Sequence, residues 1–360
     1  MCGIAGFYQS AAIDSAQAKK SILEMTQSLI HRGPDDTSIY IDDESRWYFG
    51  HRRLSILDTS KGGLQPMTSH SGNLIISYNG EIYNHLEIRD ELEKENSLIQ
   101  WKSTSDTETL LEAFDQWGIN STLSRVRGMF AIALWDKINK DFYLIRDRFG
   151  EKPLYYGWVQ QNQFSGFCFA SELKAFKALP DFSNQISKEA LIQYFSYMYV
   201  PSPLSIYDGI YKLEPGCILK ISSKPPIEKI NKVPHALSGK TFEYKSLTIS
   251  KWYDLKEVVH TSSKNFFDDY ASAEAALESE LNKVIKMQSL ADVPLGAFLS
   301  GGIDSSLIVS LMQKQNLKPV KTFTIGFEDP EFDESPFAAD VAKHLNTDHS
   351  ELFVSAEDAQ

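Results

Sequence analysis

Cys2, the second residue of the chain, can carry both groups that nucleophilic catalysis requires. Removal of Met1 would leave a thiol and a free α-amino group on this one residue. The reference pKa of a cysteine thiol, about 8.5, lies close to the value of about 7.7 to 8.0 for an α-amino group. The amine can therefore accept the thiol proton without a histidine partner, which predicts an N-terminal nucleophile. The alternative is a chance cysteine in a frayed terminus.

A candidate oxyanion site follows a predicted strand that ends at Tyr78. The next residues, Asn79 and Gly80, present a side-chain amide beside a glycine N–H. Two such donors can stabilise the negative charge that develops on oxygen during attack on an amide. The alternative is a plain Asn-Gly hairpin turn, which these two residues favour when taken alone.

Two charged residues are candidates for binding charged groups of a ligand. Arg53 can bind a carboxylate through two parallel hydrogen bonds, and Asp106 can bind an ammonium group. Each also has a structural explanation, a surface salt bridge for Arg53 and an acid at a helix start for Asp106.

A candidate anion site lies in Ser300-Gly301-Gly302-Ile303-Asp304-Ser305-Ser306, between a predicted buried strand and a predicted helix. Glycines allow the backbone to approach a ligand, and N–H groups at a helix start bind phosphate oxygens. The segment lacks the Gly-Lys-Ser/Thr ending of a Walker A loop. Asp304 fits a site where Mg²⁺ bridges it to a pyrophosphate. The position at the carboxyl end of a parallel strand favours phosphate binding over a simple glycine-rich turn.

Composition limits the class of protein. With 360 residues, 42% of them hydrophobic, the chain has room for two globular domains. Its formal net charge of -12 argues against a nucleic-acid partner or an anionic membrane surface. We find no apolar run long enough to span a bilayer and no secretion signal, so we expect a soluble cytoplasmic protein. The three cysteines, Cys2, Cys168 and Cys217, show no CxxC spacing and disfavour a disulfide or zinc framework.

The hydrophobic pattern predicts an α+β layered domain over residues 2–219, made of many short strands and a few helices. We expect helices at 15–30, 84–93 and 105–117, and strands at 4–8, 38–41, 47–51, 74–78, 130–135, 142–146, 154–158 and 164–170. Residues 220–265 are rich in Ser, Lys and Pro and are interpreted as a linker or surface excursion.

Residues 266–360 predict the first half of a doubly wound parallel α/β sheet. After a helix over 272–290, the expected elements are a strand at 293–299, a helix at 305–315, a strand at 320–327, a helix that starts at Ser335-Pro336 and a strand at 349–354. A sheet this short would leave apolar faces and an edge uncovered, so we expect this domain to be truncated and consider a homodimer.

The joint occurrence of these motifs resembles a known family. Six segments, in order, resemble the N-terminal-nucleophile glutamine amidotransferase domain: Met1–Gly6, His31–Asp35, Arg53–Ile56, Asn79–Asn84, Ser105–Glu108 and Arg146–Gly150. Ser300–Ser306 resembles the pyrophosphate loop of ATP-pyrophosphatase synthetases. The combination is similar to the glutamine-hydrolysing asparagine synthetase family. It implies a four-layer αββα sandwich of the Ntn-hydrolase type, followed by an adenine nucleotide α-hydrolase-like domain.

The resemblance also implies a carbon-nitrogen ligase and its site residues. Cys2 would hydrolyse glutamine, Asn79 and Gly80 would hold the oxyanion, and the ammonia would convert aspartate to asparagine with MgATP giving AMP and pyrophosphate. The residues implied for glutamine binding are Arg53, Leu54, Ser55, Ile56, Leu57, Asn79, Gly80, Glu81 and Asp106. Those implied for ATP and pyrophosphate are Leu299, Ser300, Gly301, Gly302, Asp304, Ser305 and Ile325, with Mg²⁺ at Asp304.

The family's second nucleotide motif, of the Ser-Gly-Glu-Gly-x-Asp-Glu kind, does not occur before Gln360. We therefore expect a complete glutaminase half and an incomplete synthetase half. Two other functions stay open. One is an amidotransferase acting on another carboxylate, such as a sugar acid. The other is a non-catalytic regulatory protein that binds glutamine.

Overall fold

The computed structural model describes the chain except for residues 11–14, 98, 161–164, 181, 184, 227–229, 231, 356 and 359–360. The chain divides into two compact units, Met1–Ser262 and Ser263–Gln360. None of the helices that the structure describes is both long and apolar enough to cross a membrane. Residue 164, where a strand was expected to begin, lies outside the described residues, as do residues 359–360 of the expected second domain.

The described strands of the first unit form two sheets. They are β1 Gly3–Gln9, β2 Asp36–Asp42, β3 Trp47–Arg53, β4 Met67–Thr68, β5 Leu74–Ile82, β6 Gly128–Asp136, β7 Asp141–Arg146, β8 Tyr155–Gln160, β9 Ser165–Ala170, β10 Ile210–Lys212, β11 Cys217–Ser222, β12 Phe242–Tyr244 and β13 Leu247–Lys251. One sheet has the order β10-β8-β9-β1-β3-β2, and the other β12-β13-β11-β7-β6-β5-β4. The pairs β1–β3, β1–β9, β2–β3, β5–β6 and β6–β7 are all antiparallel.

The first unit contains six described helices, some of which pack on the outer faces of the two sheets. Their bounds are α1 Ser15–Gln27, α2 His85–Glu95, α3 Asp106–Trp117, α4 Ile119–Arg125, α5 Lys188–Tyr197 and α6 Leu255–Ser262, with 3₁₀ turns at Lys61–Gly63 and Leu173–Ala178. Helix α1 buries Ile22 and Met25 in the core outside the six-stranded sheet. Helices α2 and α3 bury Ile88 and Leu110 in the core outside the seven-stranded sheet.

The inner faces of the sheets pack against each other through aromatic side chains. Trp47 of the six-stranded sheet stacks on Phe142 of the seven-stranded sheet, with ring centroids 4.0 Å apart. The alternation of β6 explains the layering, because Ala131 and Ala133 enter this inner core while Ile132 enters the core under α2 and α3. The four-layer αββα sandwich is thereby confirmed.

The first unit extends past the boundary expected at residue 219. Strand β11 crosses that position, and β13, inside the expected linker, pairs with it from Cys217–Lys251 to Ile221–Leu247. Leu247 and Ile249 are buried in the inner core. The Ser, Lys and Pro content of residues 220–265 is typical of loops, but two alternating apolar residues are enough to add a strand to a sheet.

His51 links the two sheets and makes the stability of the first unit depend on pH. Its Nε2 lies 3.0 Å from the carbonyl oxygen of Tyr78, and burial lowers its pKa to about 4. The unfolded value is about 6.5, so the unfolded chain binds the proton more strongly. The contribution of neutral, buried His51 to the free energy of unfolding is therefore complete above about pH 6.5. It is lost as the pH falls to about 4, and the loss is about 3 kcal/mol for one such histidine.

Urea unfolding followed by tryptophan fluorescence measures this effect, because all six tryptophans lie in the first unit. We expect His51→Gln to flatten the loss of unfolding free energy between pH 6.5 and 4.5. The exposed His344 of the second unit supplies the control, and His344→Gln should leave the slope unchanged. An unchanged slope in His51→Gln would contradict the assignment.

The second unit has the expected βαβαβ order. Its elements are α7 Tyr270–Gln288, β14 Gly296–Phe298, α8 Ile303–Gln315, β15 Lys321–Phe327, α9 Ser335–Leu345 and β16 Asp348–Val354. The sheet is parallel with the order β14-β15-β16, which confirms the predicted α/β class. One core contains Leu299, Val309 and Ala338. Along β15, Thr322 and Thr324 are buried, whereas Phe323 and Ile325 are exposed.

Candidate active site

A pocket of the first unit collects most of the residues expected to bind glutamine. Its volume, counting the open mouth, is about 600 Å³. The expected residues that line it are Cys2, Arg53, Leu54, Ile56, Leu57, Asn79, Gly80, Glu81 and Asp106. Ser55 is not among them, and its N–H donates to Asp35 Oδ2 at 2.8 Å. The pocket therefore joins segments that are up to about 150 residues apart in sequence.

Backbone contacts hold Cys2 at the start of β1. The Leu54 N–H donates to Cys2 Sγ over 3.5 Å, and Sγ lies 3.7 Å from Leu54 O. Arg32 Nε donates to the Cys2 carbonyl at 2.9 Å, and Arg32 is itself paired with Glu172 at 2.9 Å. Burial raises the pKa of the Cys2 thiol, while the Leu54 hydrogen bond and the amino terminus act in the opposite direction. The thiol is thus placed firmly and needs a base to ionise.

The amino terminus lies in the same pocket. Met1 is present in the structure and lines the pocket beside Cys2. Burial lowers the pKa of its amino group, and the positive charges of Arg32 and Lys152 lower it further. An amine with a lowered pKa is more often neutral near pH 7, as a general base must be.

Asn79 and Gly80 lie within a strand. Strand β5 continues to Ile82, and the two residues pair with Ala131 and Phe130 of β6, so the hairpin-turn interpretation is wrong. A Cβ on Gly80 would lie 2.2 Å from the Met129 carbonyl oxygen, so this close pairing requires glycine. Pairing with β6 outweighs the local turn preference of Asn-Gly.

The N–H of Gly80 faces away from β6. Phe130, its partner, uses both its N–H and its carbonyl on Asp147, at 3.1 and 2.9 Å, on the other side of β6. Gly80 and Phe130 are therefore a non-hydrogen-bonded pair, in which both peptide groups point outward. On the same outward edge, the N–H groups of Tyr78 and Ile82 are bound by side chains. The N–H of Gly80 lies between them, and no hydrogen bond to it is found among the described residues.

Asn79 supplies a second donor. Its side chain is 1% exposed, and its Nδ2 is buried without a hydrogen-bond partner among the described residues. An unpaired buried amide donor costs free energy unless a ligand satisfies it. Together with the Gly80 N–H, it gives the pocket two donors for an oxyanion next to the segment that carries Cys2.

Arg53 lines the pocket, but its guanidinium also organises the following loop. Nη1 donates to Ser60 O at 2.7 Å and to Asp36 Oδ2 at 3.4 Å, and Nη2 donates to the carbonyls of Leu57 and Asp58. At 4% exposure it is no surface salt bridge. The structure thus adds a loop-ordering role to the carboxylate-binding role expected from sequence.

Two carboxylates give the pocket a negative side. Asp106, the first residue of α3, accepts from Tyr78 Oη at 2.8 Å and from Ile82 N at 2.9 Å. Burial raises the pKa of Asp106. Burial also raises the pKa of Glu81, to about 6, and Asp106 adds to that rise. Both groups are suited to face an ammonium group.

The glycine-serine segment of the second unit forms a compact loop at the start of α8. Gly301 has a φ of 79°, and a Cβ there would lie 2.7 Å from Phe337. Ser300 Oγ and Ser305 Oγ are 3.0 Å apart, and Ser300 Oγ accepts from Gly302 N at 3.3 Å. The loop thereby places the first N–H groups of α8 at its tip, as anion binding requires.

Of the other expected nucleotide residues, Leu299 is buried beneath this loop, with its N–H bonded to Phe323 O on β15 at 2.9 Å. Ile325 is two residues further along β15 and is 47% exposed. Asp304 lies in the first turn of α8 and is exposed. No group of three or more His, Cys, Asp or Glu residues able to hold a metal is found in the part of the chain that the structure describes. Asp304 alone fits a Mg²⁺ that is held mainly by phosphate oxygens and water.

The family model of the glutamine amidotransferase domain matches residues 1–230. The chain belongs to the glutamine amidotransferase family. The family model of asparagine synthase matches residues 276–360, which include the glycine-serine loop.

The chain is similar to curated members of this family. It is 34% identical to asparagine synthetase [glutamine-hydrolyzing] 1 of Bacillus subtilis, over 99% of this chain and 51% of that protein. It is 32% identical to the putative asparagine synthetase [glutamine-hydrolyzing] 2 of Methanocaldococcus jannaschii, over 99% of this chain and 66% of that protein. The chain thus spans between one half and two thirds of the length of these relatives. A solved structure of glutamine phosphoribosylpyrophosphate amidotransferase from B. subtilis, complexed with ADP and GMP, aligns over 99% of this chain and 91% of its own at 15% identity and a TM-score of 0.48.

Sequence reasoning did not assign several residues that line this pocket: Met1, Gly63, Gln65, Tyr78, Ser105, Thr107, Met129 and Lys152. Gly63 permits the approach of Arg53, because a Cβ there would lie 2.1 Å from Nη2. Gln65 Oε1 accepts the N–H of Tyr78 at 2.7 Å. A signal for Lys152 was present, since it lies two residues after the Arg146–Gly150 motif in the sequence.

Proposed function

We propose that this chain hydrolyses glutamine at Cys2. With Met1 removed, the α-amine of Cys2 takes the thiol proton, and the thiolate attacks the side-chain amide carbon. The Asn79 amide and the Gly80 N–H hold the resulting oxyanion. When the tetrahedral intermediate collapses, the α-ammonium gives its proton to the departing nitrogen, which leaves as ammonia. Water then hydrolyses the γ-glutamyl thioester to glutamate and restores the thiol.

The observation that carries this proposal is the gathering, in one pocket, of Cys2, the amino terminus and two unpaired donors. The negative side formed by Glu81 and Asp106 suits the α-ammonium of glutamine. Arg53 suits its α-carboxylate, through its remaining Nε donor or by exchange of its loop contacts. Opposite charges at the two ends select a zwitterionic amino acid.

We propose further that the ammonia serves an ATP-dependent ligase reaction of asparagine biosynthesis. The loop at Ser300–Ser305, with Leu299 just before it and Ile325 on β15, would bind ATP and pyrophosphate. Aspartate would be activated as β-aspartyl-AMP, and ammonia would displace AMP to form asparagine. Mg²⁺ beside Asp304 would neutralise the phosphate charge. Relatives named as asparagine synthetases support aspartate over a sugar acid as acceptor, and the unpaired donors support catalysis over glutamine-binding regulation. A cytoplasmic location and a homodimer stay predictions.

Mass spectrometry after treatment with a diazoketone analogue of glutamine tests the first step. We expect an N-terminal peptide that lacks Met1 and carries one adduct on Cys2. Cys168 and Cys217 serve as internal controls, because both are buried, and burial raises the pKa of Cys168 well above its usual value and that of Cys217 to about 12. The proposal would be overturned if Met1 is retained. It would also be overturned if Cys2 carries no adduct.

A further inference from the structure

The Arg146–Gly150 motif holds Lys152 by its backbone. Asp147, fully buried, accepts the N–H of Lys152 at 3.0 Å, together with those of Phe130, Phe149 and Glu151 at 3.1, 3.1 and 2.9 Å. Arg146 Nε donates to the carbonyl of Lys152 at 2.9 Å. The N–H and the carbonyl of Lys152 are therefore held by two charged residues of the motif, Asp147 and Arg146.

Arg146 strengthens this arrangement through its terminal nitrogens. They donate to the carbonyls of Gly150 and Leu213, which closes the loop from both sides. Gly150 allows this with a φ of 70°. A polar network with all its hydrogen bonds satisfied holds the loop rigidly. Within this loop, Lys152 is the residue whose side chain lines the pocket. The network thus explains why one lysine is held at this place.

The Lys152 side chain brings its charge into the pocket that Met1 and Cys2 also line. It is 6% exposed, and its Nζ lies 3.3 Å from Sδ of Met1, the residue joined to the nitrogen of Cys2. The charged groups that act on the amino terminus are Arg32, Lys152, Asp35 and the Cys2 thiol. Those that act on Lys152 are Glu81, Glu151, Arg32 and Asp147. Among the described residues, no carboxylate forms an ion pair with Nζ within 4.0 Å.

A positive charge beside an amine disfavours its protonated form. Glutamine hydrolysis at Cys2 needs this amine neutral when the substrate arrives, because a protonated amine cannot accept the thiol proton. We infer that Lys152 is a positioning residue that acts through the α-amino group of Cys2 and holds this group in its neutral, basic form. This inference rests on the proposed glutaminase function.

The test is the pH dependence of kcat/KM for glutamate release by the full chain after removal of Met1. We expect Lys152→Met to move the midpoint of the acidic limb upward by about one pH unit, the order of effect of one unit charge at several ångströms in a partly polar pocket. Lys152→Gln should give the same shift, and Lys152→Arg, which keeps the charge, should restore the wild-type midpoint. The exposed turn residue Lys137 supplies the control, and Lys137→Met should leave the profile unchanged.

A purely structural role would lower the rate equally at every pH. If Lys152→Met and Lys152→Gln unfold like the wild type yet keep its midpoint, this inference is overturned alone. If one of these two variants fails to fold, the midpoint of the acidic limb in the other variant is compared with that of Lys152→Arg. This comparison still tests the inference. A processed wild-type chain that neither releases glutamate nor reacts at Cys2 would overturn the proposed function, and the inference with it.

Discussion

Replacing Cys2 with alanine is expected to reduce glutamine hydrolysis to the background rate, a loss of at least about 10⁴-fold in kcat. Alanine is small, so removal of Met1 and the free α-amine are retained, and only the nucleophile is lost. The contacts of the side chain are with the backbone of Leu54, at 3.5 and 3.7 Å from Sγ, so little folding energy depends on it. Glutamate release, measured in a coupled assay, gives the result directly.

The matched control is Cys168→Ala. Cys168 is buried in β9 against the core under α1, so its replacement lowers stability without touching the pocket. We expect unchanged kcat per folded molecule and a lower midpoint in thermal unfolding. If an ammonia-dependent ligase activity is present, Cys2→Ala should leave it intact. Substantial glutamine hydrolysis in Cys2→Ala would show that another residue is the nucleophile.

Asn79→Ala is expected to lower kcat about 100- to 1000-fold with little change in KM. Removal of one oxyanion donor costs about 2.7 to 4 kcal/mol in comparable enzymes, and the loss falls on the transition state because the charge develops there. The Nδ2 group makes no hydrogen bond among the described residues, so its removal breaks no donor contact of the folded state. Steady-state kinetics of glutamate release, with urea unfolding alongside, separate the two effects.

A second asparagine, Asn84, provides the comparison. It is also buried, but its amide donates to Arg125 O at 3.1 Å and accepts from Arg127 N at 2.8 Å. Asn84→Ala should therefore lower the unfolding free energy by about 1 to 3 kcal/mol and leave kcat close to the wild-type value. If the two variants behave alike, with kcat falling only in proportion to unfolded protein, Asn79 has no part in oxyanion binding.

Local sequence patterns were sufficient for most elements of the fold. The alternation in β6, Ala131, Ile132 and Ala133, marks a strand with two buried faces, and two buried faces require layers on both sides. Helix α3 begins where Ser105 accepts the N–H of Glu108, as the capping pattern indicates. These patterns extend over only a few residues, so the element that they predict does not depend on a distant part of the chain.

Patterns that depend on a distant partner were misleading. Asn79 and Gly80 favour a turn, but nine consecutive pairs with β6 keep them in a strand. Leu247–Lys251 lies in a sequence rich in Ser, Lys and Pro, which is typical of a linker. It nevertheless forms strand β13, because it pairs with the edge of β11. In each case the gain from pairing and burial exceeds the local preference, and neither partner can be recognised from the segment itself.

The sequence by itself was enough to propose the nucleophile, because Cys2 needs only its own thiol and amine. It also determined the family, through motifs in a fixed order, and the layered class of each unit, through periodicity. Tertiary structure alone decided which donors stay unpaired, since the freedom of the Gly80 N–H depends on Asp147 binding both peptide groups of Phe130. It also decided that Arg53 orders a loop and that Lys152 reaches the side chain of Met1. Hydrogen-bond partners and electrostatic neighbours are set by distances in space, and these arise only when remote segments fold together.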